Sequence, residues 1–218
     1  MAAGVNDLTP LAQDYVKVIW AATEWGEPPI TTKGLAARFQ TSQANVSDAV
    51  RRLAAQGLVS YEPYRPVVLT ERGRALATAM VRRHRLLECF LAEVLGYGWD
   101  EVHDEAERLE HAVSDDFLAR IDVLLGHPRS DPHGDPIPDP DGTWPPPPAS
   151  VRLSQAAPGS YVVLRVSDSD PARLTRLRQQ GVVPGAVLTV SADRVFAGAA
   201  ELNLAPSDGD AVRLRPPH

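Results

Sequence analysis

The chain has 218 residues, 44% of them hydrophobic and 23% charged, with a net charge of −6. That length suits one large core or two to three small ones, and the composition excludes disorder throughout. No apolar run approaches the ~20 residues that span a bilayer. Met1-Ala2-Ala3-Gly4-Val5-Asn6-Asp7 lacks the basic and apolar parts of a secretory signal, and the single Cys89 excludes an intramolecular disulfide. A soluble cytoplasmic protein is expected, with no membrane partner and with Cys89 as a small buried apolar side chain.

Thr9 followed by Pro10 reads as an N-cap and first helical residue, opening a helix through Tyr15, Ile19 and Trp20 toward Gly26. A second helix begins at Thr31 or Thr32 with Leu35, Ala36 and Phe39. A third is capped by Ser42, carries Val46, Val50 and Leu53, and stops at Gly57. Leu58-Val59-Ser60-Tyr61 and Val67-Val68-Leu69-Thr70 are strand-like and flank Glu62-Pro63-Tyr64-Arg65-Pro66. Residues 1–72 therefore read as a helix-turn-helix with a β-wing. Residues 31–85 hold ten bases against three acids, a local +7 that leaves −13 elsewhere. In this geometry the start of the third helix reaches base edges while nearby bases neutralise phosphates. Ser42, Gln43, Asn45, Ser47 and Asp48 are candidates for base or phosphate contact, and Arg51, Arg52 and Arg65 for phosphates. Polar residues here can also simply solvate a helix.

Residues 73–140 read as a helical domain. A long helix starts at Thr70 or Glu71 and carries Leu76, Met80, Leu86, Phe90 and Leu95 to Gly96, and another runs from Ser114 through Phe117, Ile121, Leu124 and Leu125 to Gly126. Between them lies Glu101-Val102-His103-Asp104-Glu105-Ala106-Glu107-Arg108-Leu109-Glu110-His111. At about 100° per residue, His103, Glu107, Glu110 and His111 share one side of a helix, while Val102, Ala106, Leu109 and Val113 form a separate apolar stripe. His84 and Glu88, at i and i+4, project together and can meet that helix. Imidazoles and carboxylates at this spacing suit a metal; the bland alternative is a solvated charged face. The apolar faces of these helices suit a small core or a subunit interface.

Pro128 to Pro148, with Trp144-Pro145-Pro146-Pro147-Pro148, reads as an extended tether, with residues 141–150 as the linker proper. His127 and His133 in it are expected to be solvated. Val151-Arg152-Leu153, Tyr161-Val162-Val163-Leu164-Arg165-Val166, Ala186-Val187-Leu188-Thr189-Val190 and Ala211-Val212-Arg213-Leu214 are strand-like, making residues 151–218 a small β-barrel. The whole is mainly α with a small β domain.

The winged unit, Arg83-His84-Arg85-Leu86-Leu87-Glu88, Val102-His103-Asp104-Glu105-Ala106, Leu109-Glu110-His111 and Asp135-Pro136-Ile137-Pro138 together resemble the diphtheria-toxin-repressor family of metal-dependent bacterial repressors. Leu174-Thr175-Arg176-Leu177-Arg178-Gln179-Gln180-Gly181-Val182-Val183-Pro184-Gly185 resembles the family's C-terminal SH3-like domain. The resemblance implies a homodimer on double-stranded operator DNA, with a winged helix-turn-helix, a helical dimerisation domain and an SH3-like β-barrel. It implies two metal positions: Asp14 with Glu107, Glu110 and His111, and His84, Glu88 and His103. Oxygen ligands from the third domain are implied for the second set, with Asp168 and Asp170 as nearest candidates; either aspartate can equally cap a turn. Asp14 and Glu107 stand where iron-responsive members have methionine and cysteine. Exchanging sulfur for carboxylate hardens the site and favours Mn²⁺, with Fe²⁺ or Co²⁺ also admissible. Lys17 stands where some manganese regulators place a glutamate, which argues against their two-manganese arrangement.

Two other classes fit the residues less well. A metallohydrolase is disfavoured by the absence of a zincin-like motif and by the complete DNA-reading unit. A winged regulator of a small organic ligand leaves the aligned histidines and glutamates unexplained. No catalytic residue and no organic cofactor is expected.

Overall fold

The computed structural model describes residues 4–63 and 65–216, so Tyr64, which the sequence reading placed in the wing, lies outside the described residues. The packing divides into two units, one running up to Arg83 together with Pro138–Thr143, the other His84–Ile137 together with the chain from Trp144 onward.

The first unit begins with α1 (Pro10–Glu24), α2 (Thr32–Arg38) and α3 (Gln43–Ala55). Each starts where a hydroxyl satisfies an otherwise orphaned N–H: Thr9 accepts from Ala12, Thr31 from Gly34 and Ser42 from Asn45. Their apolar stripes meet in one core of Val16, Leu35, Val46, Val50 and Leu58, with Tyr15 stacked on Phe39 at 4.3 Å. The wing follows as antiparallel β1 (Val59–Ser60) and β2 (Val68–Leu69), pairing Val59 with Leu69. Thr70 then bonds the carbonyl of Gly57 at 2.7 Å and receives the N–H of Gly73 at 3.0 Å, so one hydroxyl joins the wing to α4 (Glu71–Glu93). Glycine is required at position 73, because a Cβ would lie 1.9 Å from the Leu58 carbonyl oxygen.

The second unit holds the C-terminal part of α4 with α5 (Val102–Leu109) and α6 (Asp115–Leu124). The helix of the histidine-glutamate run is shorter than its spacing suggested. Glu110 is its C-cap and His111 lies in the turn beyond. Leu86, Leu87, Leu91, Val102, Ala106, Leu118, Ile121 and Ile137 form the core. Phe117, Val123 and Leu124 on α6, with Val94 and Leu95 after α4, remain exposed.

Ile137 in that core overturns the reading of Pro128–Pro148 as one tether. Asp131 accepts the N–H groups of His133 at 2.8 Å and Asp135 at 2.9 Å, and Arg85 donates to the Pro136 carbonyl at 2.7 Å. Arg85 also lies near the carboxylates of Asp131 and Asp135, and Arg165 pairs with Asp135. Prolines forbid regular structure here, but buried aspartates and one isoleucine fix the path. Beyond it, residues 140–143 and 146–150 are exposed.

The C-terminal sheet runs β3 (Val151–Arg152), β4 (Gly159–Val166), β5 (Val187–Val190), β6 (Val195–Ala197), β7 (Ala200–Glu201) and β8 (Val212–Arg215), in the order β3-β8-β4-β5-β6-β7, with every pairing antiparallel. The four expected strands are present. β6 and β7 add a short hairpin, and α7 (Pro171–Gln179) covers Val163, Val166, Leu188 and Leu214 with Leu174 and Leu177. Ile137→Ala is expected to lower unfolding free energy by about 2–4 kcal/mol in urea titration, as for a packed core residue. A change within ~0.5 kcal/mol, as at a surface site, would restore the tether.

Candidate metal centre and nucleic-acid interface

One imidazole organises the second unit. His84 projects from α4, and its two ring nitrogens meet different carboxylates: Nδ1 is 2.6 Å from Glu110 Oε2, and Nε2 is 3.0 Å from Glu88 Oε1. Nε2 also lies 3.1 Å from Nδ1 of His103, which α5 presents from the facing side. His103 Nδ1 is in turn 3.4 Å from Glu88 and 3.1 Å from Asp168 Oδ2. Asp168 reaches this point because it follows β4, where the Ser167 N–H is held by the Ala211 carbonyl at 2.8 Å. Donor atoms of His84, Glu88, His103 and Asp168 all lie within 4.8 Å of one another.

Burial works against charge on Glu88, yet the adjacent His84, His103 and His133 hold its carboxyl well below the usual range. Burial likewise opposes the His103 cation, but hydrogen bonds and charge from Asp168 and Glu88 outweigh it and raise the group to about 10. Asp168 follows the same logic: burial pushes it up, and His103 brings it down below the usual carboxylate range. Anions are therefore retained in a poorly solvated place, as expected where positive charge is collected.

The separations fit a cation. Donors about 2.1 Å from an octahedral ion stand about 3.0 Å apart along an edge, and the His84–Glu88 and His84–His103 pairs are at 3.0 and 3.1 Å. Two imidazoles and two carboxylates form a nitrogen-and-oxygen donor set suited to a divalent transition metal. His84 Nδ1 against Glu110 supplies the carboxylate–histidine contact that orients such ligands.

Glu107, Glu110 and His111 occupy the other side of the same assembly. Glu110 is fully buried between His84 and His111, with His111 Nε2 3.6 Å from its Oε1. Glu107 lies 3.7 Å from His103 Nε2 and falls with His84 and Glu110 in a second group of convergent donors. His84, expected in one set, thus also contacts Glu110 of the other. Asp14 stands half-buried on α1 in the first unit. Asp170 is placed elsewhere: its Oδ1 accepts the Arg173 N–H at 3.1 Å and caps α7.

His133 corrects the expectation of a solvated side chain. It is fully buried, its Nε2 is 2.6 Å from the Trp99 carbonyl, and its Nδ1 faces Glu88 Oε1 at 3.9 Å. Donors of Glu88, Asp131 and His133 form another convergent group, with Asp131 held well above the usual carboxylate range by burial and by the charges of Asp135 and Glu88. The signal that could have found them is Asp131-Pro132-His133-Gly134-Asp135, in which an aspartate-led turn presents a histidine. His127 is mostly exposed and pairs with Asp122 at 2.9 Å.

In the first unit Ser42, Gln43 and Asn45 are exposed at the start of α3. The Ser42 hydroxyl caps the helix, Asn45 donates to the Thr41 hydroxyl at 3.0 Å, and Ser47 bonds back to the Gln43 carbonyl at 2.8 Å. Arg51 and Arg52 are exposed on α3, Arg51 paired with Asp48, and Arg65 is exposed in the wing loop.

Known proteins align with both regions. Residues 7–67 match the iron-dependent repressor N-terminal DNA-binding domain, residues 70–139 the iron-dependent repressor metal-binding and dimerisation domain, and residues 151–214 the FeoA domain. The iron-dependent repressor IdeR of Mycobacterium tuberculosis is 38% identical over 198 residues, spanning 85% of this chain and 86% of the relative. A solved manganese-dependent transcriptional repressor in complex with manganese is 46% identical, covers 93% of this chain and 98% of its own, and superposes with a TM-score of 0.86. The manganese regulator SloR is 30% identical, covers 96% and 100%, and superposes at 0.81. The shared DNA-binding, metal-binding and SH3-like parts, at this identity and coverage, place the chain in the diphtheria-toxin-repressor family of metal-dependent transcriptional repressors.

Proposed function

We propose that the chain is a manganese-activated repressor of metal-uptake genes, acting as a cytoplasmic homodimer on double-stranded operator DNA. The observation that carries this reading is the convergence of His84, Glu88, His103 and Asp168 in a chain that also bears a winged DNA-reading unit. Manganese is favoured by the donors, which are oxygen and nitrogen throughout. The one thiol, Cys89, is buried, bonded to the Ser130 carbonyl and strongly resistant to ionisation. Sulfur would favour softer metals, and its absence lessens the disadvantage of Mn²⁺. The iron-dependent name of IdeR supports a second reading, an iron-responsive repressor with the same mechanism.

In this account His84, Glu88, His103 and Asp168 hold one cation, beside His133 and Asp131. On the family resemblance alone, Asp14 joins Glu107, Glu110 and His111 at another. A divalent ion held there would add positive charge to a cluster of carboxylates that the imidazoles already draw together. Glu110 orients His84 through Nδ1 while Nε2 faces Glu88, so the ligand sets are linked through one ring. Ser42, Gln43, Asn45 and Ser47 contact bases or phosphates, and Arg51, Arg52 and Arg65 contact phosphates. Exposed Phe117, Val123 and Leu124 are assigned to the dimer interface. Operator affinity rises if the metal-bound ensemble favours the DNA-competent arrangement, and linkage then requires DNA to tighten metal binding equally.

Operator titration after chelation, then with Mn²⁺, Fe²⁺ or Zn²⁺ restored separately, tests this reading. Mn²⁺ is expected to tighten binding by roughly 5- to 150-fold, the usual range of allosteric coupling. Glu107→Ala and His111→Ala are expected to remain folded and to bind weakly with no metal response. A full manganese response in either variant contradicts the ligand assignment, and preferential activation by Fe²⁺ selects the iron reading.

The salt dependence of operator binding tests the DNA face. Arg51→Ala and Arg52→Ala should each weaken binding across sequences and reduce the slope of log affinity against log salt by about 1. An unchanged slope removes that residue from the phosphate contacts.

A further inference from the structure

The turn before α5 is built as a support. Gly98 and Glu101 close it through two hydrogen bonds, the Glu101 N–H to the Gly98 carbonyl at 2.8 Å and the Gly98 N–H to Glu101 Oε2 at 3.0 Å. Asp100 within it is gripped by α7 of the C-terminal domain: Arg178 pairs with its Oδ1, and the Thr175 hydroxyl, shared with the Pro171 carbonyl at 3.0 Å, lies 3.3 Å from its Oδ2. Trp99 packs against the sheet core, which fixes the peptide carrying its carbonyl. That carbonyl receives His133 Nε2 at 2.6 Å, with the two rings 5.2 Å apart.

A carbonyl only accepts, so Nε2 must carry the hydrogen. In the neutral ring Nδ1 is then a lone pair. It is buried, has no hydrogen-bond partner among the described residues, and is aimed at Glu88, whose Oε2 likewise has none. The 3.9 Å approach is to Glu88 Oε1, which His84 and His103 already meet, so His133 Nδ1 and Glu88 Oε2 are left as two buried acceptors with no donor among the described residues. That arrangement suits a cation. Choosing which imidazole nitrogen is free is what outer supports of metal-bound histidines do.

We propose that Trp99 and Asp100 are positioning residues: the Trp99 carbonyl selects the His133 tautomer whose Nδ1 faces the metal, and Asp100, held by Thr175 and Arg178, keeps that carbonyl in place. The SH3-like domain thus tunes metal affinity through a contact that is not itself a ligand. This rests on reading His133 as part of the metal centre. Because the selecting group is main-chain, the clamp at Asp100 is the place to break it.

The test uses the full chain, with Mn²⁺ as the probe. Free Mn²⁺ measured by electron paramagnetic resonance gives affinity, and ¹⁵N NMR of the metal-free protein reports the His133 tautomer. Asp100→Ala is expected to mix the tautomers and to weaken Mn²⁺ binding tenfold to hundredfold, the usual cost of losing an outer support, with little change in the melting of the metal-free protein. If Asp100→Ala impairs folding, the double variant Thr175→Val with Arg178→Gln releases the clamp from α7 and carries the same expectation. A wild-type tautomer and affinity in the clamp variant, with weakened binding in His133→Ala, overturns the positioning role and leaves His133 in the centre. Unchanged Mn²⁺ affinity in His133→Ala overturns the reading beneath it.

Discussion

Glu88 is the constraint on which the second unit depends. Its carboxylate is fully buried on α4, where an uncompensated charge costs several kcal/mol. Three imidazoles surround it, from His84 one turn earlier, His103 on α5 and His133 in the turn before Ile137. Compensation therefore requires α4, α5 and the 129–137 segment to be packed together. Chemistry at one atom pair sets the arrangement of three elements that are distant in sequence.

The C-terminal domain enters through the same requirement. Asp168, leaving β4, closes the fourth side of the centre, while Arg165 pairs with Asp135 and α7 grips Asp100. These contacts make it more than a domain on a tether. Its polar residues touch the turn that leads into α5, which carries His103, and the turn that carries His133. The expected independence of a Pro-rich linker thus gives way to a fixed path up to Ile137, with the exposed prolines confined to the stretch beyond.

Local signals were the most legible. Thr9, Thr31, Ser42 and Ser114 each cap the helix that their spacing predicts, because capping is decided within four residues. The winged unit follows from those caps and one apolar stripe per helix. His84, Glu88 and His103 were legible as ligand candidates because helical periodicity places them on facing sides, and the family resemblance pointed beyond them to Asp168. His133 was not, since a histidine between Pro132 and Gly134 has no periodicity, and its burial depends on Trp99, 34 residues away. Asp170 takes the capping alternative of its two readings, because the free N–H groups at the start of α7 claim its carboxylate. The sharing of His84 between Glu88 and Glu110 was hidden too, because spacing gives the face of a side chain and not which ring nitrogen meets which oxygen.

A repressor needs a sensor that changes little in shape and much in charge, and a cluster of anions around imidazoles has that property. The central claim is that this cluster is where the metal sits. Anomalous diffraction from crystals grown with Mn²⁺ tests it most directly. The account predicts a peak about 2.1 Å from His84 Nε2, His103 Nδ1, Glu88 and Asp168. Manganese bound only elsewhere, with those four side chains still hydrogen-bonded to one another, would contradict it.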